Sequence, residues 1–146
     1  IHFLKKKEHT MKQLKNIREL SEIRKRVQFL ESQILKPELT EVSHIPTLFE
    51  FYNKITSDVN DYPGKESAEY KQIFLYSILM LYCPRALMGE HLSRGIREHL
   101  AKLFDRSPSH VSNLISGITF YYERYTKFRH NCDHILSQMN IKINRL

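Results

Sequence analysis

The run IFLYSILMLY, residues 73–82, is the feature that most restricts how this chain can fold. In a helix its residues are apolar on nearly every side, so no face of such a helix suits water. A segment of this kind has to be surrounded by other parts of the molecule. We therefore predict a central buried helix, with Ser67 as its N-terminal cap and Pro84 beyond its end.

Apolar residues elsewhere recur at spacings of three and four, which is the period of a helix, and no stretch alternates as a strand does. Gly and Pro are scarce, at 4 and 5 of 146 residues, and this also favours helices. The predicted class is all-α, a helical bundle of five to six helices. Besides residues 67–82, we expect helices near 11–34, 46–56, 94–104 and 108–116, and a loop over 57–66.

Two parts of the chain are distinguished by their patterns. Residues 1–65 contain a long amphipathic helix, a second helix and a loop, and we expect them to serve packing or dimerisation. Residues 66–146 contain the buried helix, the short helices after it and a long C-terminal helix. No internal repeat or low-complexity segment is present.

A single apolar stripe follows the first helix. From Leu20 to Ile34 it keeps the three-four rhythm of a coiled-coil seam, but only over about two heptads, fewer than a coiled coil requires. We expect a helix packed on its own domain, and pairing with a second copy of the chain is the alternative. The stripe consists of Met11, Leu14, Ile17, Leu20, Ile23, Val27, Leu30 and Ile34.

Basic residues are concentrated at the two ends of the chain. The chain has 23 Lys and Arg against 16 Asp and Glu, a net charge of +7, and residues 1–35 and 84–146 each carry +5 while residues 36–83 carry −3. Basic regions of this size favour contact with a polyanion, most commonly nucleic acid. The alternative is a helical protein-protein interaction module whose basic surface meets an acidic protein.

Cys83 and Cys132 are the only cysteines and lie far apart in the sequence, which indicates free thiols in a reducing compartment. No stretch approaches the roughly 18 consecutive apolar residues of a membrane helix. The first residues lack the small-residue cleavage site of a signal peptide. We expect a cytoplasmic protein that has no membrane partner.

Ser107 and Pro108 form a strong helix-start signal between two short apolar patterns. A serine oxygen accepts a hydrogen bond from the first turn, and proline has the φ that a first helical residue needs. Two helices joined by so short a turn cross steeply, and the small Ala101 stands where the second presses on the first. This is the helix-turn-helix arrangement, whose second helix enters the major groove of DNA.

The segment AKLFDRSPSHVSNLISG, residues 101–117, resembles the helix-turn-helix of lactose-repressor-type and related bacterial regulators. In those proteins an Ala in the first helix precedes a turn and a Ser-Pro-Ser-x-Val-Ser start of the recognition helix. The resemblance covers residues 97–117 only. Asp105 and Arg106 depart from it, since the family has glycine and a small apolar residue there. The matching apolar positions are Leu100, Ala101, Phe104, Val111 and Leu114.

The resemblance implies a sequence-specific DNA-binding protein, specifically a transcriptional regulator that acts as a homodimer on half-sites about one helical turn apart. Its partner is double-stranded DNA. Short polar residues opposite Val111 and Leu114 are expected to contact bases, because Asn pairs two-fold with adenine and Ser and His reach base edges. These are Ser109, His110, Ser112 and Asn113. Phosphate contacts are expected from Arg94, Arg97, Lys102, Arg106 and Ser107.

The pattern after Gly117 continues as ITFYYERYTKFRHNCDHILSQM, and the sequence leaves open whether the recognition helix ends at Gly117. The pair His130 and His134 has the spacing that metal-binding helices use. Cys132, however, points away from both on an ideal helix, and no third ligand converges. We therefore predict no metal site.

Three tyrosines, at 121, 122 and 125, lie near arginines and could be taken for nucleophiles that cleave DNA strands. Their helical spacing favours core or interface packing instead. The chain has no glycine-rich phosphate loop and no recognisable Ser/His/Asp or Cys/His arrangement. We expect neither enzymatic activity nor a cofactor, and no small-molecule substrate is evident.

Overall fold

The computed structural model describes residues 1–34, 37–59 and 61–145. Within these residues no β-strand is present, and the prediction of an all-α protein with five to six helices is confirmed. Two short 3₁₀ helices, Val42–His44 and Pro84–Met88, supplement the α-helices. The α-helices are α1 (His2–Gln33), α2 (Ile45–Ser57), α3 (Ala68–Tyr82), α4 (Arg94–Phe104), α5 (Pro108–Arg124) and α6 (Thr126–Ile143).

The chain divides into two compact units, Ile1–Leu35 and Lys36–Leu146. The first unit is α1, and no residue within this helix is buried. The interpretation that α1 packs on its own domain stays a prediction. The second unit contains the other five helices. Its boundary lies nearer the N-terminus than the predicted division at residue 65, because the Tyr52 ring of α2 packs 4.5 Å from the Tyr70 ring of α3.

The central helix of the second unit is α3, as the apolar run predicts. Ser67 caps it, since its Oγ accepts a hydrogen bond of 3.2 Å from the backbone N–H of Tyr70. Every residue from Tyr70 to Leu79 is buried. The helices α2, α5 and α6 pack around α3, and α4 packs against α5.

An aromatic cluster attaches α4 to this core. The Phe49 ring of α2 lies 4.9 Å from the Phe74 ring of α3 and 5.6 Å from the Phe104 ring of α4, between ring centroids. Such pairs add about 0.5–1.5 kcal/mol each beyond the burial of their area. The last turn of α4, where the predicted helix-turn-helix bends, is therefore fixed to the core.

The helix α5 continues through Gly117 to Arg124, which settles the question that the sequence leaves open. Gly117 lies where another side chain approaches closely, because a Cβ there would stand 3.2 Å from Nε2 of Gln72. That Nε2 donates a 2.9 Å hydrogen bond to the carbonyl of Leu114. Gln72 thus ties the central helix to α5.

Both cysteines are free thiols; Cys132 is buried and Cys83 is half-buried. In the described ranges no helix is long and apolar enough to span a membrane. The loop predicted over residues 57–66 is observed from Asp58 onward, with Asn60 outside the described residues.

Candidate nucleic-acid interface

The turn between α4 and α5 consists of Asp105, Arg106 and Ser107. Asp105 has φ 54° and ψ 48°, and it is the one non-glycine residue with positive φ that the structure describes. The N–H of Asp105 donates to the carbonyl of Lys102 at 3.2 Å, and that of Arg106 donates to the carbonyl of Ala101 at 2.9 Å. These bonds end a helix in the manner usual for glycine, and aspartate is among the few residues that tolerate this conformation. Asp105 therefore adopts the left-handed conformation that glycine adopts readily.

Ser107 begins α5 as predicted. Its Oγ accepts a 3.2 Å hydrogen bond from the backbone N–H of His110, and Pro108 is the first helical residue. No other hydrogen bond of this hydroxyl is present among the described residues, so its proton remains available to a ligand. The first turn of α5 also presents the positive end of the helix dipole, which attracts anions.

The inner face of α5 is apolar and buried. Val111 and Ile118 are fully buried, and Leu114 is nearly so. Ala101 of α4 is also buried, as expected for the small residue between two closely packed helices. This burial holds α5 by one side only and determines which side chains face away from the core.

The outer face of α5 carries a row of short polar side chains. Ser109, Ser112 and Asn113 are exposed, and Ser116 continues the row. They share a side because they are spaced by three and four residues. The Asn113 side chain makes no hydrogen bond within the described part of the chain. Three of the four predicted base-contacting residues therefore lie together, and Ser116 was missed although its spacing from Asn113 places it in the same row.

His110 does not belong to this exposed row. It is half-buried, and its Nε2 is buried with no hydrogen-bond partner in residues that the structure describes. The expectation that it faces opposite Val111 and Leu114 was wrong. His110 lies on the flank of α5, between the buried side that carries Leu114 and the exposed row that carries Asn113.

The basic residues around the turn differ in whether they already have an acidic partner. Lys102 and Arg106 are exposed and form no ion pair among the described residues. Arg94 is occupied, since its Nε lies 2.8 Å from Oε1 of Glu98 and this hydrogen bond and the carboxylate charge raise the Arg94 pKa. A phosphate at Arg94 would compete with Glu98, whereas Lys102 and Arg106 have no such competitor.

Arg97 lies beside the polar row rather than in open solvent. It lines a cavity of about 330 Å³ together with Ser112, Ser116 and Thr119 of α5. Its Nε is buried and has no hydrogen-bond partner in the described ranges. The guanidinium thus stands next to the face of α5 that carries the serines, with one donor unused.

The residues considered for a metal lie on different sides of α6. Cys132 is buried, and burial raises the pKa of its thiol, while His130 and His134 are exposed. The side chain of Asp133 accepts a 2.8 Å hydrogen bond from the hydroxyl of Tyr122. In the part of the chain that the structure describes, no group of three His, Cys, Asp or Glu residues is arranged to hold a metal ion.

Tyr121 and Tyr122 of α5, and Tyr125 directly after it, pack against other residues to different degrees. The Tyr122 ring stacks on Tyr76 with a centroid distance of 5.1 Å, and Tyr121 packs edge-on against Phe128 at 6.0 Å. Tyr125 is 55% exposed. The first two tyrosines pack against the second unit's other helices, and the Tyr125 ring lies 5.9 Å from the Tyr121 ring. An interface role for Tyr125 stays a prediction.

Comparison with known proteins gives no match to this chain, neither with a protein-family model, nor with a curated protein, nor with a solved structure. The resemblance of residues 97–117 to a family therefore remains a prediction.

Proposed function

We propose that this protein binds double-stranded DNA sequence-specifically, with α5 in the major groove, and acts as a transcriptional regulator. One observation carries the proposal: a capped helix exposes a row of short polar side chains while its other side is buried. The major groove, about 12 Å wide, admits a helix, and short side chains allow its backbone to approach the bases. A face meant only for solvent has no need of such small residues.

Base contacts in this proposal come from Ser109, Ser112 and Asn113, with Ser116 as an addition. The free amide of Asn113 is suited to the two-fold pairing with adenine, and serine hydroxyls donate or accept at any base edge. His110 has another role, because its buried Nε2 places it against the protein. It supports the start of α5.

Phosphate contacts in this proposal come from the residues that flank the row. Lys102 and Arg106 lie at the turn without competing acids, and Arg97 lines the cavity beside Ser112. The first-turn N–H groups of α5 and the Ser107 hydroxyl add further donors. Arg94 would contribute only after releasing Glu98, so we rank it below the other three.

Homodimer formation, the regulator role and a cytoplasmic location belong to the same proposal. Helix-turn-helix proteins read paired half-sites as dimers, which doubles their contact with DNA. The two free thiols, Cys83 and Cys132, suit a reducing compartment. The net charge of +5 over residues 84–146 supplies the attraction to the duplex.

The test is binding of the full chain to a mixed-sequence duplex over a series of salt concentrations. We expect log K to fall linearly with log salt, with a slope of about −0.9 for each phosphate neutralised. The double variant Lys102→Ala/Arg106→Ala should make this slope less steep by about twice 0.9, because two phosphate contacts are lost. Arg145→Ala, which removes an exposed charge at the end of α6, is the matched control and should leave the slope unchanged.

A helical protein-protein interaction module is the second candidate, and the exposed apolar stripe of α1 is the observation in its favour. This alternative predicts no measurable affinity for duplex DNA even at low salt. Absence of binding there, with the second unit shown to be folded by circular dichroism, would overturn the DNA-binding proposal.

A further inference from the structure

The helix α1 has an apolar stripe, and the described residues of its own unit, Ile1–Leu35, contain no other helix to cover it. The helix is 32 residues long and has no buried residue. Leu20, Ile23, Val27 and Leu30 are each about half exposed, at 49%, 52%, 47% and 48%. A stripe of large aliphatic side chains in this state is unusual, because monomeric proteins rarely expose contiguous apolar surface of this extent.

A helix of this kind needs a packing partner to be stable. Helix formation in water is only marginally favourable, and most helical stability in proteins comes from packing of an apolar face. Among its described residues, the unit Ile1–Leu35 contains no second element that supplies such packing. A partner helix packed on the stripe would therefore stabilise α1.

We propose that α1 pairs with α1 of a second copy of this chain, as a parallel, in-register, two-stranded coiled coil over residues 19–33. In this register Leu20 and Val27 occupy the a positions, and Ile23 and Leu30 occupy the d positions. Aliphatic residues at a and d are the knobs that such a seam requires. Ile34, the next a position, lies immediately after the end of α1.

The charged residues beside the seam indicate that the partner is α1 of a second copy and that the two helices run parallel. In a parallel pair, each g residue faces the e residue of the following heptad on the other chain, and such pairs determine partner and orientation. Here Glu19 at g faces Arg24 at e, and Arg26 at g faces Glu31 at e. Both pairs join opposite charges, and two-fold symmetry repeats each pair once. The surface beside the seam is therefore complementary to itself.

Antiparallel arrangements match these charges less well. The arrangement in which Leu20 faces Leu30 sets Arg24 against Arg24 and Arg26 against Arg26. The arrangement shifted by one heptad pairs Arg24 with Glu31 but leaves Arg26 opposite the uncharged Gln33. The parallel pair alone gives every one of the four flanking charges an opposite partner.

Towards its N-terminus the stripe departs from the heptad rhythm. Met11, Leu14 and Ile17 follow at spacings of three, and the strict a and d positions there are Gln13 and Asn16. The seam is therefore limited to the C-terminal half of α1. The proposal does not depend on DNA binding, because the two copies would pair without a duplex.

The first experiment is sedimentation of the full chain over a concentration series. We expect a species of twice the 17.5 kDa chain mass at high concentration, with helix content rising as the dimer forms. Val27→Glu places a charge in the seam and should abolish the dimer at every concentration. Lys25→Glu, on the outer side of the same turn, is the matched control and should retain it. A monomer at every concentration for the native chain would overturn the proposal.

Charge reversal tests self-complementarity. Chains with Arg24→Glu/Arg26→Glu, or with Glu19→Arg/Glu31→Arg, should each be monomeric, since every flanking pair becomes repulsive. A mixture of the two should form a heterodimer, because every pair is then opposite in charge. Unchanged self-association of both variants would contradict the assigned seam, and near-native circular dichroism of the mixture excludes misfolding as the cause.

A cysteine at one end of the seam reports the direction. In a Cys83→Ser background, Leu20→Cys should give a disulfide-linked dimer on mild oxidation, because a parallel register brings the two a positions together within disulfide reach. Lys25→Cys, on the outer surface, is the control and should not link. Cross-linking only between a Leu20→Cys chain and a Leu30→Cys chain would show an antiparallel pair and overturn the proposed direction.

Discussion

Asp105 shows how a single residue sets the geometry between α4 and α5. Its left-handed backbone reverses the chain so that Arg106 reaches back to the carbonyl of Ala101. Glycine, which the regulators that residues 97–117 resemble have here, is absent. The structure shows an aspartate at the helix end, and aspartate can adopt positive φ although it has a Cβ.

Replacing Asp105 tests this account of the turn. Asp105→Gly should raise the free energy of unfolding by about 0.5–1 kcal/mol, because glycine adopts positive φ without steric cost. Asp105→Val should lower it by more than this gain, since a β-branched residue is an outlier at positive φ. Urea unfolding measures both changes. Equal stability of the two variants would show that the turn does not depend on a left-handed residue.

Removing a proposed base contact and removing a proposed phosphate contact should have different effects on DNA binding. Asn113→Ala should reduce discrimination between preferred and altered sites by about 1–3 kcal/mol. Arg97→Ala should weaken binding to all sequences alike, since a phosphate contact carries no sequence information. Ser137→Ala, an exposed position on α6, is the control. Competition binding with two duplexes measures each effect, and equal losses for Asn113→Ala and Arg97→Ala would remove the assigned roles.

At the residue scale, the sequence predicts the exposure of most polar side chains of α5, but not that of every one. Ser109, Ser112 and Asn113 are exposed as expected because they avoid the spacing of the buried residues. His110 was misplaced, since its polarity suggested solvent while its spacing from Leu114 places it on the flank. Ser93 stands at the start of α4, yet its hydroxyl makes no cap bond within the described residues.

At the scale of the elements, α5 depends on its N-cap residue, Ser107. Ser107→Ala removes the cap bond to His110 and should lower the free energy of unfolding by about 1 kcal/mol. Ser107→Asp should restore that stability, because aspartate caps equally well, but should weaken DNA binding because its carboxylate repels phosphates. Thermal unfolding and duplex binding, measured on both variants, separate the two roles of this residue. Native affinity of Ser107→Asp would place the duplex away from the start of α5.

Element boundaries were predictable where a residue carries a strong local signal. Ser67, Pro84 and the Ser107–Pro108 pair mark starts and ends that the structure confirms. The course of α5 at Gly117 was left open by the sequence, because the helical pattern continues beyond a residue that weakens helices. The structure shows one helix through Gly117, and Gln72 of α3 bonds to the Leu114 carbonyl just before it.

At the scale of the whole molecule, buried tyrosines make the fold sensitive to alkali. Tyr52, Tyr70, Tyr76 and Tyr82 are buried, and burial raises their pKa, to about 12 for Tyr82. The folded state then binds more protons than the unfolded chain once the pH exceeds about 10, the ordinary tyrosine pKa. The free energy of unfolding should therefore be steady below that pH and fall as the pH rises towards the folded pKa values.

Urea unfolding across this alkaline range, with tyrosinate absorbance as a second signal, measures the effect. Tyr82→Phe removes one raised pKa and should make the decline shallower, although it also removes the hydrogen bond to the Glu41 carbonyl. Tyr125→Phe, at an exposed position, is the control for loss of a phenol. Complete ionisation of all tyrosines while the protein is still folded would contradict the argument.

The whole-molecule organisation was predictable only in part from the sequence. The all-apolar run of α3 requires surrounding helices, and the structure supplies them with α2, α5 and α6. The sequence analysis divides the chain after residue 65, at the end of the predicted loop. In the structure α2, which precedes that loop, packs on α3 through Phe49 and Tyr52. A local pattern shows that the stripe of α1 is apolar but not what it packs against.

The most direct test of the central claim is a photocross-link from the outer face of α5 to DNA. With Cys83→Ser and the buried Cys132 retained, a short photoreactive group on Ser112→Cys should form adducts with bases of a duplex selected for tight binding. The same group on Ser137→Cys should form few. Base adducts from Ser112→Cys alone are the result that we predict, and equal adducts from both positions would contradict an α5 that lies in the groove.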